Sequence, residues 1–180
     1  MKNAARDFIN LLLSGTTKPL WVCSLPNDKD TAGGGARHVR TRDVDQIINF
    51  CKKHDIPGTA VYYCVSSING TSRKLETVAE TPILWFDLDY KDIVETPKQA
   101  LAKIKSMSMP PTRIHATGNG LHGIYVLKEP WRGDIRPALR RLADVVGGDH
   151  AVCHPAALLR MPGTHNSKDH EDTPPHLHTE

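Results

Sequence analysis

Apolar positions recur along the chain at two spacings, and together they predict an α/β protein. Residues 4–13 carry apolar side chains three and four positions apart, the spacing of an amphipathic helix. Residues 19–25 ("PLWVCSL") and 59–67 ("TAVYYCVSS") are short apolar runs that predict strands. Residues 44–51 return to the helical spacing, and Asp43 stands before them as a candidate N-cap.

The same patterns continue through the rest of the chain. The remaining predicted elements are strands over 82–90, 112–117 and 121–127 and helices over 97–107 and 134–146. Gly118-Asn119-Gly120 joins two of these strands and is typical of a hairpin turn with positive φ. Residues 27–42 are polar with three consecutive glycines, which predicts a flexible connector. Because hairpins separate the strands, we expect a mostly antiparallel sheet.

A length of 180 residues suits one globular domain. We expect this domain to cover residues 1–168, with an N-terminal α/β unit over 1–58 and a core over 59–168. Residues 169–180 ("DHEDTPPHLHTE") are polar and interrupted by prolines, so they predict a flexible tail.

The composition argues against several classes of protein but does not indicate a function. The net charge of +3 is compatible with a nucleic-acid partner and is not specific for one. The four cysteines lie far apart without a CxxC pair, which argues against a disulfide framework. The sequence contains neither a signal-peptide pattern nor an apolar run of membrane-spanning length. We therefore expect a cytoplasmic protein without a membrane partner.

The strand "ILWFDLDY" (83–90) carries acidic residues inside an apolar run. Successive side chains alternate between faces, so Asp87 and Asp89 share a face with Trp85, roughly 7 Å apart at their Cα atoms. Two carboxylates at this spacing repel each other unless a cation compensates their charge. The pair predicts a divalent-metal site, and a solvated acidic rim at the strand end is the alternative.

The segment "TGNGLHGIYVL" (117–127) places His122 directly after a glycine-rich turn. Gly118 and Gly120 remove side chains near the histidine, as the close approach of a phosphate or ligand backbone requires. The alternative is a structural or surface histidine.

The segment "GGDHAVCHPAALLRMPGTHNSK" (147–168) contains a third carboxylate, Asp149, followed by positive charge. Arg160 and Lys168 supply groups that suit phosphate, and Asn166 adds an amide between them. Taken alone, this segment is also compatible with a helix exit and an ordinary turn.

In this order, the three segments resemble the signature motifs of the archaeo-eukaryotic primase superfamily, over residues 60–168. The last segment is similar to that of primase-polymerase domains in phage and plasmid replication proteins. The resemblance implies an α/β (α+β) fold with a mostly antiparallel, RRM-like sheet, flanking helices and an N-terminal α/β unit. Two departures stand out: His154 replaces an acidic residue that many relatives carry, and the family's common zinc-binding insertion is not evident.

The resemblance also implies an activity and its components. The activity is that of a DNA primase/polymerase, transferring nucleotides from NTPs or dNTPs on a single-stranded DNA template during replication of a phage, plasmid or other mobile element. Two Mg²⁺ or Mn²⁺ ions would be held by Asp87, Asp89 and Asp149. The implied nucleotide-binding residues are His122, Arg160, Lys168, Asn166 and Gly120. We expect no zinc, because one cysteine among scattered histidines is a poor structural site.

Two other functions fit the residues. A replication-initiator module with the same fold would bind DNA with little or no catalysis. A metal-dependent nuclease would share the carboxylates without needing the triphosphate-binding side chains. The sequence leaves open the choice between ribo- and deoxynucleotides, the template start site and the oligomeric state. It also leaves open whether a helicase or primer-binding domain belongs to the same or another chain.

Overall fold

The structure, a computed structural model, describes residues 2–27, 35–165 and 177–178, and within these it describes side chains from residue 5 to 165. The helices are α1 (Lys2–Ser14), α2 (Val44–His54), α3 (Pro97–Lys105) and α4 (Arg136–Val146). The strands are β1 (Leu20–Pro26), β2 (Arg37–Thr41), β3 (Thr59–Cys64), β4 (Ser67–Ile68), β5 (Val78–Asp89), β6 (Arg113–Ala116), β7 (Gly120–Trp131), β8 (Leu158–Arg160) and β9 (Leu177–His178). Short 3₁₀ helices span Leu75–Thr77, Tyr90–Asp92 and His150–Val152.

The strands form two sheets, and every described strand pair is antiparallel. One sheet has the order β2-β1-β3-β8 and the other the order β4-β5-β7-β6-β9. β1 and β3 lie on either side of the division expected at residue 58, yet they pair in one sheet. The predicted α+β fold with antiparallel sheets and flanking helices is confirmed.

The main hydrophobic core lies between the two sheets and includes α1. Phe8 of α1 meets Tyr63 of β3 and the imidazole of His115 in β6, at ring-centroid distances of 5.2 and 4.5 Å. Trp85 and Ile124 bring β5 and β7 into the same core. Since aromatic side chains bury large apolar areas, this contact holds the sheets together.

β5 packs against hydrophobic cores on both of its faces. Phe86 and Leu88 pack in a second core under α3, where Ala100 and Ile104 are buried. The opposite face, with Trp85 at its centre, enters the main core. The two aspartates therefore continue a buried face rather than an open one, and they emerge only where β5 ends.

Several predicted elements differ in detail. The region predicted as a flexible connector contains the strand β2, whose residues are largely exposed because it is an edge strand. Residues 28–34 of that region lie outside the described residues. The strand predicted over 59–67 ends at Cys64 and resumes as β4 in the other sheet. The predicted hairpin is present, and Gly118 has a φ of 91°.

Helix starts and ends follow local chemistry. Asp43 caps α2 by accepting hydrogen bonds from the N–H groups of Asp45 and Gln46. α4 ends at Gly147, whose φ of 77° is the left-handed conformation that glycine adopts readily.

All four cysteines are free and buried. Burial raises the pKa of Cys51 to about 12 and the pKa values of Cys23 and Cys64 to about 11. Among the described helices, none is long and apolar enough to cross a bilayer. The expected tail lies outside the described residues except for β9, which pairs with β6.

Candidate active site

The carboxylates and the histidine predicted from sequence meet across two neighbouring strands. In the register of β5 and β7, Asp87 lies opposite His122 and Asp89 lies opposite Gly120. The His122 Nε2 atom is 3.4 Å from Asp87 Oδ1, and the two side chains are 6% and 23% exposed. A ligand would therefore reach the carboxylate more readily than the ring, which is almost completely buried.

Glycines in β7 set how closely this strand approaches β5. A Cβ atom on Gly120 would lie 2.1 Å from the carbonyl oxygen of Leu88. A Cβ atom on Gly123 would lie 2.0 Å from the ring of Phe86. Both distances are far below van der Waals contact, so no side chain fits at either position. The structure thus gives Gly120 a packing role beside the predicted role in binding a nucleotide.

The main chain holds Asp149 next to the same strand. The N–H of Asp149 donates to the carbonyl oxygen of Asp87 at 2.7 Å, directly after the turn at Gly147. The Asp149 carboxylate accepts from the N–H of Ala151 at 2.7 Å and stays exposed. The indole Nε1 of Trp85 donates to the Val152 carbonyl at 3.0 Å, which fixes the far end of the segment. The main chain of Asp149 therefore lies beside that of Asp87.

An exposed lysine forms an ion pair with the second of these carboxylates. The Lys91 Nζ atom lies 3.3 Å from Asp89 Oδ2. The pKa of Lys91 is raised, first by its hydrogen bond to Asp89 and then by the charges of Asp89, Asp92 and Asp149. Negative charge thus converges here. Within the described residues, no three acidic, histidine or cysteine side chains form a preorganised metal cluster.

Oxygen ligands of this kind suit magnesium and manganese. Mg²⁺ in proteins is bound through one or two carboxylates and keeps several waters, so it does not need a complete cage of side chains. Asp87 and Asp89 on one strand, with Asp149 beside them, fit that requirement.

Two buried polar residues behind the carboxylates were missed by sequence analysis. His115 lies opposite His122 in the β6–β7 register, is 4% exposed, and neither ring nitrogen has a hydrogen-bond partner. Burial, the neighbouring His122 and Arg113 lower the pKa of His115 from 6.5 to about 3. The buried hydroxyl of Tyr63 also lacks a partner, and burial and then Asp87 raise the pKa of Tyr63. No local pattern marks either residue, because both lie within ordinary apolar strands.

The other predicted nucleotide-binding residues lie apart from this group or outside the described residues. Arg160 of β8 lies over the Tyr62 ring at 5.4 Å and donates to the His165 carbonyl at 3.2 Å. Its described contacts include none of the three carboxylates. Asn166 and Lys168 fall outside the described residues.

Cys153 and His165, the kind of cysteine and histidine that a zinc site would use, have other partners. Cys153 Sγ donates to the carbonyl of Asp149 at 3.7 Å, and His165 Nδ1 lies 3.0 Å from Asp55 Oδ2. Burial and then the charge of Arg73 lower the pKa of His154.

Comparison with known proteins gives structural neighbours with this fold. The catalytic domain of primase RepB′ in complex with initiator DNA matches with a TM-score of 0.66 and 16% identity, over 98% of this chain and 85% of that one. The AEP domain of the cyanophage S-2L primase-polymerase matches with a TM-score of 0.66 and 16% identity, over 97% and 90%. At these identities the likeness shows the fold, and it confirms the resemblance predicted from the motifs at that level.

A sequence relative points in the same direction. A replication protein of Clostridium perfringens is 25% identical over 129 residues, 65% of this chain. The chain spans 32% of that relative's length. No family model matches the sequence.

Proposed function

We propose that this chain, which has the archaeo-eukaryotic primase fold, is the primase-polymerase domain of a replication protein. In this proposal it joins nucleotides on a single-stranded DNA template. The observation that carries the proposal is the pairing of Asp87 with His122 at the end of β5, with Asp89 further along the same strand and the main chain of Asp149 hydrogen-bonded to that of Asp87. The relative named a replication protein and the structural neighbours named primases support it.

The proposed metal ligands are Asp87, Asp89 and Asp149. Bound Mg²⁺ or Mn²⁺ ions would activate the primer 3′-hydroxyl and neutralise charge on the departing pyrophosphate. The chain's own contribution is to bring the segment of Asp149 next to the strand that carries the other two carboxylates. Strand alternation puts Asp87 and Asp89 on one face of β5, and the hydrogen bond from the Asp149 N–H to the Asp87 carbonyl holds the Asp149 main chain beside them. Lys91, whose Nζ lies 3.3 Å from Asp89 Oδ2, would give up this ion pair if Asp89 held a divalent cation.

His122 contacts the nucleotide phosphates in this proposal. Its Nε2 atom lies 3.4 Å from Asp87 Oδ1, so a phosphate bound at the carboxylates would come next to the imidazole. Arg160, Lys168 and Asn166 remain predicted nucleotide ligands on the strength of the motif alone. Template contacts belong to other residues.

The test uses labelled NTPs and dNTPs with unprimed and primed single-stranded DNA, with Mg²⁺ and Mn²⁺ in separate reactions. We expect template-dependent products from the wild type. Asp87→Asn and Asp89→Asn should each abolish synthesis while the melting temperature stays the same or rises, because both changes relieve repulsion between carboxylates.

Nucleotide titration separates binding from chemistry. His122→Ala should weaken nucleotide affinity roughly ten- to a hundredfold, the effect of one charge-assisted hydrogen bond, and leave single-stranded DNA affinity unchanged. Lys128→Ala, an exposed change on β7, is the matched control for handling and folding. Wild-type synthesis by Asp87→Asn at saturating metal would contradict the metal assignment.

Two further outcomes identify the competing functions. DNA binding without synthesis under every condition would indicate an initiator module that lacks catalysis. Cleavage of DNA without incorporation, abolished by Asp87→Asn, would indicate a nuclease.

A further inference from the structure

The face of the four-stranded sheet that points away from the main core carries two rows of side chains in register. Part of this face is covered, because Trp21, Cys23 and Cys64 pack in a small third core with Ile68 of β4. The inner face contributes Val22, Tyr63 and Leu159 to the core. The outer face carries two rows, each read across β2, β1, β3 and β8. The first row is His38, Cys23, Tyr62 and Arg160. The second row is Arg40, Trp21, Cys64 and Leu158. We use "outer surface" for His38, Arg40, Trp21 and Tyr62.

A stacked pair of rings lies at the β2 end of this outer surface. The imidazole of His38 lies on the indole of Trp21, with ring centroids 4.2 Å apart and planes 10° from parallel. Trp21 is 5% exposed whereas His38 is exposed. The indole thus supports the imidazole from below, and the solvent side of the imidazole is a flat platform.

A groove of about 550 Å³ adjoins the stacked pair. Trp21, His38, Val39, Arg40, Gly70 and Thr71 line it. Its volume lies within the range of about 300–1,000 Å³ that is usual for ligand clefts. The Arg40 guanidinium donates one hydrogen bond to the Gly70 carbonyl at 2.5 Å, which holds it at the rim. A guanidinium has five N–H donors, so others remain for a ligand.

The charged side chains in both rows are basic. Arg160 closes the first row over Tyr62. The Arg73 guanidinium donates a hydrogen bond to the Ala156 carbonyl. Burial raises the pKa values of Cys23 and Cys64, and the positive charge of Arg73 partly offsets that rise. Positive charge and aromatic rings therefore share one face, which is the combination that binds single-stranded nucleic acid.

We infer that the outer surface binds single-stranded DNA, with an unpaired base stacked on His38 and a backbone phosphate at Arg40. Basic residues on an edge strand also prevent pairing with other chains, but that role requires no ring stack and no groove. Residues 150–157 connect β8, at the far end of the first row, to Asp149. That the bound strand is the template rests on the proposed function, whereas the binding itself does not.

The experiment measures binding of fluorescein-labelled oligodeoxythymidylate of about 16 nucleotides by anisotropy, in EDTA and without nucleotide. His38→Ala should weaken binding about fivefold to a hundredfold, the value of one stacked base. His38→Phe keeps a ring and should retain most of the affinity. Arg40→Ala should lower the slope of log affinity against log salt by about 0.7, the value of one phosphate contact.

Controls separate this surface from others. Lys128→Ala removes one exposed positive charge from the other sheet and should leave binding unchanged. Duplex DNA should bind His38→Ala and wild type alike, because paired bases cannot stack on a protein ring. Near-UV circular dichroism checks that Trp21 keeps its environment in each variant.

Two results would overturn the inference. One is wild-type affinity in both His38→Ala and Arg40→Ala, and the other is a loss confined to Arg141→Ala, on the polar side of α4. If the expected pattern holds while the wild type makes no product on any template, the binding surface stands and the proposed function fails. If the wild type synthesises DNA and both variants bind DNA normally, the proposed function stands and the inferred binding surface is wrong.

Discussion

The surroundings of His115, rather than the chemistry of the imidazole itself, determine the state of this side chain. It lies in the row Asp87, His122, His115 that crosses β5, β7 and β6. The first member of the row reaches solvent, whereas the third packs against Phe8 without a hydrogen-bond partner. The same row therefore passes from a charged site to an uncharged core within three strands.

This placement predicts a specific loss of stability in acid. The folded pKa of His115, about 3, lies below the unfolded value of 6.5, so the unfolded chain binds more protons between these pH values. The stability contributed by the neutral imidazole is complete above pH 6.5 and falls as pH decreases towards 3, by a few kcal/mol and at most about 5. Urea unfolding of wild type and His115→Leu across this range tests it.

The difference between the two proteins isolates His115 from the carboxylates, which titrate in both. His115→Leu should match or exceed wild-type stability near pH 7 and lose less stability below pH 6.5. Parallel pH profiles for the two proteins would contradict the prediction, because they would mean that His115 has the same pKa in the folded and unfolded states.

β5 and β7 act as a pair, and the glycines of β7 determine how they fit. Gly123 accommodates the Phe86 ring, and Phe86 is 1% exposed with little room to move. Asp87 follows Phe86 directly, so a shift of this contact also moves the carboxylate relative to His122.

Gly123→Ala should therefore destabilise the fold by about 1–3 kcal/mol, as overpacking does, and reduce synthesis further than the stability loss explains. Denaturant unfolding and primer extension measure the two effects. Gly35→Ala is the matched control, because its added Cβ would meet nothing within 4 Å among the residues that the structure describes. Combining Gly123→Ala with Phe86→Leu should recover part of the stability. A neutral Gly123→Ala would mean that the strands are not closely fitted.

Elements with strong periodicity were predictable, and those made by tertiary contact were not. α1, α2, α4 and β5 follow from the spacing of their own apolar residues. β2 reads "RHVRT" and has no apolar run, because an edge strand needs only the partner that β1 supplies. The approach of Asp149 to Asp87 depends on a main-chain hydrogen bond, which leaves no trace in side-chain chemistry.

For the same reason, the three motifs predicted the candidate residues but not their distribution. Asp87 and His122 were expected together, and the register brings them together. Arg160 shares a motif with Asp149, yet strand alternation turns it to the face of Tyr62. Motif order gives the chain positions, whereas the face of each strand is decided by which neighbours it packs against.

The two sheets share one core, so they should fold and unfold together. Phe8 contacts both sheets, through Tyr63 on one and His115 on the other. No described strand of one sheet pairs with a strand of the other. The two sheets are therefore joined by side-chain packing in the shared core, to which Phe8 contributes.

Phe8→Ala should cost about 3–5 kcal/mol and lower the melting temperature by on the order of 10 °C. Two single-tryptophan proteins, one keeping Trp21 and one keeping Trp85, report the two sheets separately. Both reporters should melt at the same temperature with and without Phe8→Ala. Earlier melting of either reporter would indicate that the sheets unfold independently.

The alkylation rates of the four buried thiols report local opening of the chain. Only a thiolate reacts with alkylating reagents, and burial with raised pKa values keeps these thiols protonated in the folded state. Cys23, Cys51 and Cys64 lie in β1, α2 and β3, and Cys153 lies in the segment that holds Asp149. Mass-spectrometric labelling rates would thus give four local opening rates from the natural sequence, and addition of Mn²⁺ should slow Cys153 selectively.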